Sequence, residues 1–400
     1  MSSVAGQLHA GMKYPMRAAP KTNLEFLDGL RGLAAAFVMI GHARWLLWEG
    51  YNEGFMTHPE RYSFLGKMMV YTLSFFRYGH QAVLFFFVLS GFVIHLKYSI
   101  ALKKNKDLSF DLGNYIVRRL RRIYPAFIFA LLLTWILDST GAISGFTIYV
   151  HQTPNALINT NITNDHSLPN LFGNLFFLQG GRVGTWGTNG PLWSLKFEWW
   201  FYILYPVLFL VNRRSVTASA ILVILISFST LFIRFPEMSF AISVLQYLLC
   251  WWLGGILADI YTGRIVIKYS WLAGLTLIIP LLIVFEKKIN NAFLDTGWAI
   301  GFFGLLSAMF YLREKGFRHK WLGRIKWLGD SSYTLYIIHF PVLVLFNGII
   351  LHYTGNKMPG TLVFVFAGIF FCLTLAWLLH FLTEKPFTRK REVIKPALGA

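Results

Sequence analysis

Apolar runs long enough to cross a bilayer alternate with short polar segments over most of this chain. A spanning helix needs about 20 mainly apolar residues. On that measure we read ten spans, at about 27–48, 80–97, 123–138, 191–211, 217–233, 240–261, 270–286, 295–312, 332–351 and 361–382. The pattern predicts an all-α protein, a polytopic integral membrane helical bundle of about ten transmembrane helices. The longest polar stretch runs from Ser139 to Gly190 and is rich in Asn, Thr and Gly. Within it, Leu171 to Leu178 is apolar but too short to span, and reads as an interfacial or re-entrant helix.

Charge adds an orientation. With the N-terminus placed inside, the inside segments hold 26 Lys and Arg and the outside segments 8. That excess predicts cytoplasmic ends for both termini. Residues 1–23 and 387–400 read as cytoplasmic tails, and no cleavable signal peptide is expected in residues 1–23. The net charge of +19 does not point to nucleic acid, because the basic residues sit in loops where topology requires them. Only 14% of the chain is charged, well below a soluble domain. Cys250 and Cys372 lie in apolar runs and read as buried hydrophobes, not as a disulfide or metal site.

Polar groups inside the apolar runs are the candidates for chemistry, since an ionisable group in a membrane is costly and functional by default. Arg31 and His42 stand eleven residues apart in the first span. On a helix that is about three turns, so both fall near one face. His42 is a candidate general base. Asp28 lies within reach of Arg31 and can hold its guanidinium toward an anionic ligand, or form an interfacial salt bridge. Ser90, with Gly91, permits close helix packing. His80 and His95, at the two ends of that second span, read as surface groups. Arg118, Arg119, Arg121 and Arg122 precede the third span. They read equally as a positive-inside signal or as a phosphate-binding group. Glu198 lies about two turns into the fourth span, behind Trp193 and Ser194. Its expected partner is on another span, His42 or an arginine. His339 is a further mid-span histidine, and Glu384 closes the last span as a cap or salt-bridge partner.

At these residues the chain resembles the acyltransferase family 3 membrane proteins, over Leu24 to Pro386. The Arg31–His42 spacing matches. So do Phe86 to Phe92 (FFxLSGF), Arg119 and Arg122 (RxxR before Tyr124-Pro125), Trp193 to Glu198 (WSLxxE) and Ser332 to Pro341 (SYxLYxxHxP). Two positions depart from the pattern. Leu84 replaces a common acidic residue, and Ile338-His339-Phe340 replaces a common Trp-His-Trp. The resemblance implies that residues 24–386 form an O-acyltransferase domain of a bacterial inner membrane. It implies acyl-CoA, most often acetyl-CoA, as donor substrate, with no permanently bound cofactor. The implied acceptor is a hydroxyl of an extracytoplasmic glycan or glycolipid, such as exopolysaccharide or lipopolysaccharide. Membrane lipid and glycan-assembly proteins are the expected partners.

On this reading His42 acts as base or transient acyl carrier and Glu198 orients its ring. Arg31 orients the donor, and Arg119 and Arg122 bind its phosphates. Asp28, Ser90, Trp193, Ser194 and His339 support the site. The rival is a transporter or flippase of lipid-linked sugars, which the buried charges suit equally.

Overall fold

The computed structural model describes residues 24–387, apart from 182, 234, 236 and 237. The expected cytoplasmic tails lie outside the described residues, Phe387 excepted. Sixteen α-helices follow in chain order: α1 Glu25–Leu46, α2 Phe64–Ser74, α3 Gly79–Lys104, α4 Leu112–Ile143, α5 Ala156–Asn161, α6 Leu168–Leu175, α7 Leu195–Arg214, α8 Val216–Ser229, α9 Ser239–Thr262, α10 Tyr269–Ala273, α11 Ile278–Phe285, α12 Asn291–Glu314, α13 Lys320–Arg324, α14 Lys326–Asp330, α15 Ser332–Tyr353 and α16 Val363–Thr383. Among the described residues no extended strand forms, only the isolated bridge of Gln179 with Val183. Among the described residues nine helical segments are long and apolar enough to cross a membrane, and α8 is a shorter apolar helix. The fold is an all-α polytopic bundle.

The helix ends segregate into two opposite sets. At one end Arg31 meets Ser332, Arg122 meets Glu384, and His95 meets Asp259. At the other, Arg77 meets Glu286, His80 meets Asp295, and Thr147 meets Asn356. The alternation requires α8 to cross as well, which restores the ten crossings the hydropathy pattern predicts. The first set adjoins the arginine- and lysine-rich loops and is called the basic end below.

Helices α3 and α9 pack closely at their glycines. A Cβ on Gly91 would run into the carbonyl of Trp251, and one on Gly254 into that of Val88. Small residues at such a crossing let two backbones approach in a setting where lipid offers no hydrophobic drive to association.

His95 corrects an expectation. It is wholly buried, not at the surface. Its Nε2 lies 3.1 Å from both Asp259 oxygens and its Nδ1 2.9 Å from the Tyr205 hydroxyl. Ser99 donates to Asp259 at 2.6 Å and Arg264 at 2.7 Å. A buried carboxylate is tolerated only with such partners. His80 keeps its outer position, with 39% of its side chain exposed beside Asp295. Cys250 and Cys372 are buried and free. Only the first part of the apolar piece at 171–178 is helical, as the end of the short α6, which lies outside the set of spanning helices.

Candidate functional site

Helix α15 is where the candidate residues converge. Most of its length is buried, and its consecutive residues face different partners. It runs side by side with α1 in the same direction, as the pairings 31–332, 42–339 and 46–347 show.

Arg31 clamps the basic ends of the two helices together. Its Nε donates to Ser332 Oγ at 3.0 Å and its Nη2 to the Gly329 carbonyl at 2.8 Å. Asp28, one turn earlier, is buried with its backbone against Gly329.

His42 sits three turns further along α1. Its Nδ1 lies 2.8 Å from His339 Nε2, with the rings nearly parallel at 7° and centroids 5.1 Å apart. Phe340 meets the His42 ring edge-on at 4.9 Å. His339 is fully buried, and its Nδ1 lies 3.0 Å from the Leu335 carbonyl.

These contacts fix the protons. A carbonyl oxygen only accepts, so His339 Nδ1 carries the hydrogen and donates to Leu335. A neutral His339 then has a bare Nε2, which accepts from His42 Nδ1–H. The neutral His42 ring is left with its lone pair on Nε2. His42 is half-buried, and among the described residues no group hydrogen-bonds that nitrogen. The helix carbonyl, the second histidine and the first form a chain that ends in an available base. The logic is that of any catalytic histidine held in one tautomer by an acceptor behind it.

Glu198 lies elsewhere. Its carboxylate accepts from Tyr202 OH on its own helix and from Ser90 Oγ at 3.4 Å. Ser90 in turn accepts from Trp251 Nε1 at 3.3 Å. No hydrogen bond joins Glu198 to His42 among the described residues, so His339 takes the orienting position assigned to Glu198 from the sequence. Ser194 Oγ is 2.7 Å from Tyr336 OH, and the Tyr336 ring lies 6.0 Å from that of His339. Trp193 stacks on His80 at 5.5 Å, facing the far end.

At the basic end, Arg122 Nη1 donates to Glu384 Oε2 at 2.8 Å. The other Glu384 oxygen accepts from Thr334 N at 2.8 Å and Thr334 Oγ1 at 2.7 Å. Glu384 is therefore the salt-bridge partner the sequence suggested. The Arg119 guanidinium lies over the Tyr115 ring at 5.4 Å and the Tyr202 ring at 5.3 Å. Its Nε is buried without a hydrogen-bond partner. Tyr202 thus touches both Arg119 and Glu198. Arg122 lies 5.7 Å from the Tyr333 ring, on the helix that carries His339. Among the described residues no group of three or more His, Cys, Asp or Glu is placed to hold a metal ion.

The structure is a multi-pass helical bundle with arginines at one end and an oriented histidine in its interior. The chain belongs to acyltransferase family 3: the family profile, an acyltransferase domain, matches residues 24–381. It is also similar to an uncharacterised protein of Haemophilus influenzae, 28% identical over 167 residues, which are 40% of this chain and 63% of that protein. The match therefore spans less than two thirds of that relative's length. No solved structure matches the chain.

Proposed function

We propose that this protein moves an acyl group, acetyl in our reading, from acyl-CoA at its basic end to a hydroxyl of a glycan or glycolipid at the opposite end. The observation that carries the reading is the His42–His339 pair, which leaves a base available in the interior of an acyltransferase-family bundle. The basic end is cytoplasmic on the charge rule. Both termini then lie in the cytoplasm, and the membrane is a bacterial inner membrane. Exopolysaccharide and lipopolysaccharide are the acceptors we favour, with glycan-assembly proteins as partners.

The step balances with His42 alone. Nε2 takes the proton of the acceptor hydroxyl as its oxygen attacks the thioester carbonyl. The tetrahedral intermediate collapses, the C–S bond breaks, and the imidazolium returns its proton to the leaving CoA thiolate. In the alternative order Nε2 itself attacks, the C–S bond breaks and CoA leaves as the thiolate; the acceptor hydroxyl then attacks the acyl-imidazolium, the C–N bond breaks, and the hydroxyl proton passes to the thiolate. His339 accepts from Nδ1–H in either order and stabilises the positive ring. Arg119, with its unpartnered Nε, is the better placed of the two arginines for a CoA phosphate, because Arg122 is already engaged by Glu384. Arg31 holds α1 against α15 and so sets the position of His42.

Purified protein in detergent, given labelled acetyl-CoA and envelope glycan, is expected to acylate the glycan. Glycan release or movement without acylation would contradict the reading. In the same assay the double variant Arg119→Lys, Arg122→Lys keeps the charge but loses the forked geometry that suits phosphate. The KM for acetyl-CoA is expected to rise about tenfold or more, in line with a lost charge-assisted hydrogen bond. An unchanged KM assigns the pair to topology alone.

A further inference from the structure

A cavity opens beyond His42, at the end of the bundle away from the arginine cluster. Its volume is about 210 Å³. Its walls come from the end of α1 and the loop after it, with Arg44, Trp45, Glu49, Tyr51 and the exposed Glu53, and from Asn155 in the long polar segment. Trp45 is also the neighbour of the reacting base. Its ring meets that of His42 edge-on at 6.4 Å and lies 6.0 Å from Phe340. The cavity is thus one helical turn, about 5 Å along the axis, beyond His42.

Hydrogen bonds tie the walls together, and their charges are unevenly used. Trp48 Nε1 donates to Tyr62 OH at 2.7 Å, and that hydroxyl donates to Glu49 Oε1 at 2.8 Å. Burial and the Glu49 carboxylate push the Tyr62 phenol up to about 12, so it stays a donor at any physiological pH. The backbone N–H of Glu49 donates to the Pro359 carbonyl at 3.0 Å, which ties the wall to the α15–α16 connection. Arg44 contrasts with this. Its Nε is buried without a hydrogen-bond partner. Among the described residues no carboxylate lies within ion-pair distance of it, and the charge acting on it most is that of another cation, Arg77. Arg77 already has its own partners in Glu286 and Tyr78. A half-buried guanidinium with a like charge nearby and no anion of its own stands ready for an anion from outside.

We infer that this cavity is the acceptor subsite and that it takes a sugar unit carrying an acidic group, a carboxylate or a phosphate. The acid pairs with Arg44. The aromatic faces of Trp45 and Tyr51 receive the apolar face of the sugar ring, Glu49 offers an acceptor for its hydroxyls, and Asn155, whose Oδ1 already caps α5, offers its amide N–H₂ as a donor. Seated there, a neighbouring hydroxyl of the sugar reaches past Trp45 toward His42 Nε2. The assignment of acceptor rests on the acyl-transfer reading above, whereas binding of an acidic sugar does not.

The test is equilibrium binding to the purified full chain in detergent, without acyl-CoA. The probes are a labelled trigalacturonate, the same trisaccharide with its carboxylates reduced to alcohols, and a glucose phosphate beside glucose. The wild type is expected to bind the acidic member of one pair at least about tenfold more tightly, the worth of a charged hydrogen bond. Arg44→Gln is expected to remove that preference and Arg44→Lys to retain part of it. Phosphatidylglycerol in mixed micelles is expected not to displace the bound sugar. Equal binding within both pairs, a preference that survives Arg44→Gln, or displacement by the lipid overturns the proposal. Acid preference without acyl transfer defeats the functional reading alone. Acyl transfer with no acid preference defeats the subsite alone.

Discussion

Replacing His42 by alanine is expected to lower acyl transfer by about 10²–10⁴-fold while the protein still inserts and accumulates. The loss is chemical. His42 supplies the free lone pair at the end of the hydrogen-bond chain from Leu335 through His339. Its half-buried ring sits among Phe340 and Trp45, which an alanine leaves in place. The measurement is the initial rate with purified variant at matched concentration. A label bound to wild type after acetyl-CoA is added, and absent from the alanine variant, assigns the acyl-imidazole route. A rate within twofold of wild type would remove His42 from the chemistry.

The second large effect is at His339, a positioning residue that acts through His42. His339→Leu deletes the acceptor for His42 Nδ1–H. His42 is then free to take the other tautomer, with the proton on the nitrogen that should be bare. We expect kcat to fall by about 10²-fold or more, with little change in the KM for acetyl-CoA, because a general base contributes on that scale. The pH profile should shift as well, since the imidazolium loses the acceptor that stabilises it. His339→Gln offers an amide oxygen near the place of Nε2, and is expected to recover part of the rate. Leu and Gln variants of equal activity would reduce His339 to a packing role.

Much of this architecture was legible in the sequence, and the failures have physical causes. The ten crossings followed from hydropathy, including the short α8, because lipid demands unbroken apolar length. The extent of α4 did not follow. It starts at Leu112, well before the apolar run at 123, because arginine is a good helix former and the charged turns continue the helix past the apolar run. The run at 270–286 reads as one helix but is broken into α10, a 3₁₀ turn at Gly274–Leu277, and α11. His42, Arg31 and Glu384 stood out as charges in apolar surroundings. The partner of His42 did not. Glu198 was the obvious candidate by charge, yet it pairs with Tyr202 on its own helix and Ser90 across the α3 interface. Which face of α15 meets α1 depends on the rotation of two helices about three hundred residues apart in the chain, and no local pattern encodes that. His95 failed for the same reason: a histidine near a span end looks exposed until Asp259 and Tyr205 are known to surround it. Arg44 was not among the candidates the sequence offered. Its cavity is closed by Asn155 and Leu157 from a segment far along the chain.

The central claim is transfer across the membrane, from donor at the basic end to acceptor at the other. The most direct test uses sealed membrane vesicles of defined orientation from cells that express the protein. Acetyl-CoA does not cross the bilayer. Supplied outside inside-out vesicles, labelled acetyl-CoA is expected to acylate glycan enclosed in the lumen, and the His42→Ala vesicles to leave it unlabelled. Right-side-out vesicles are expected to label only after they are opened. Labelling of sealed right-side-out vesicles, or labelling of inside-out vesicles confined to their outer face, would contradict the account.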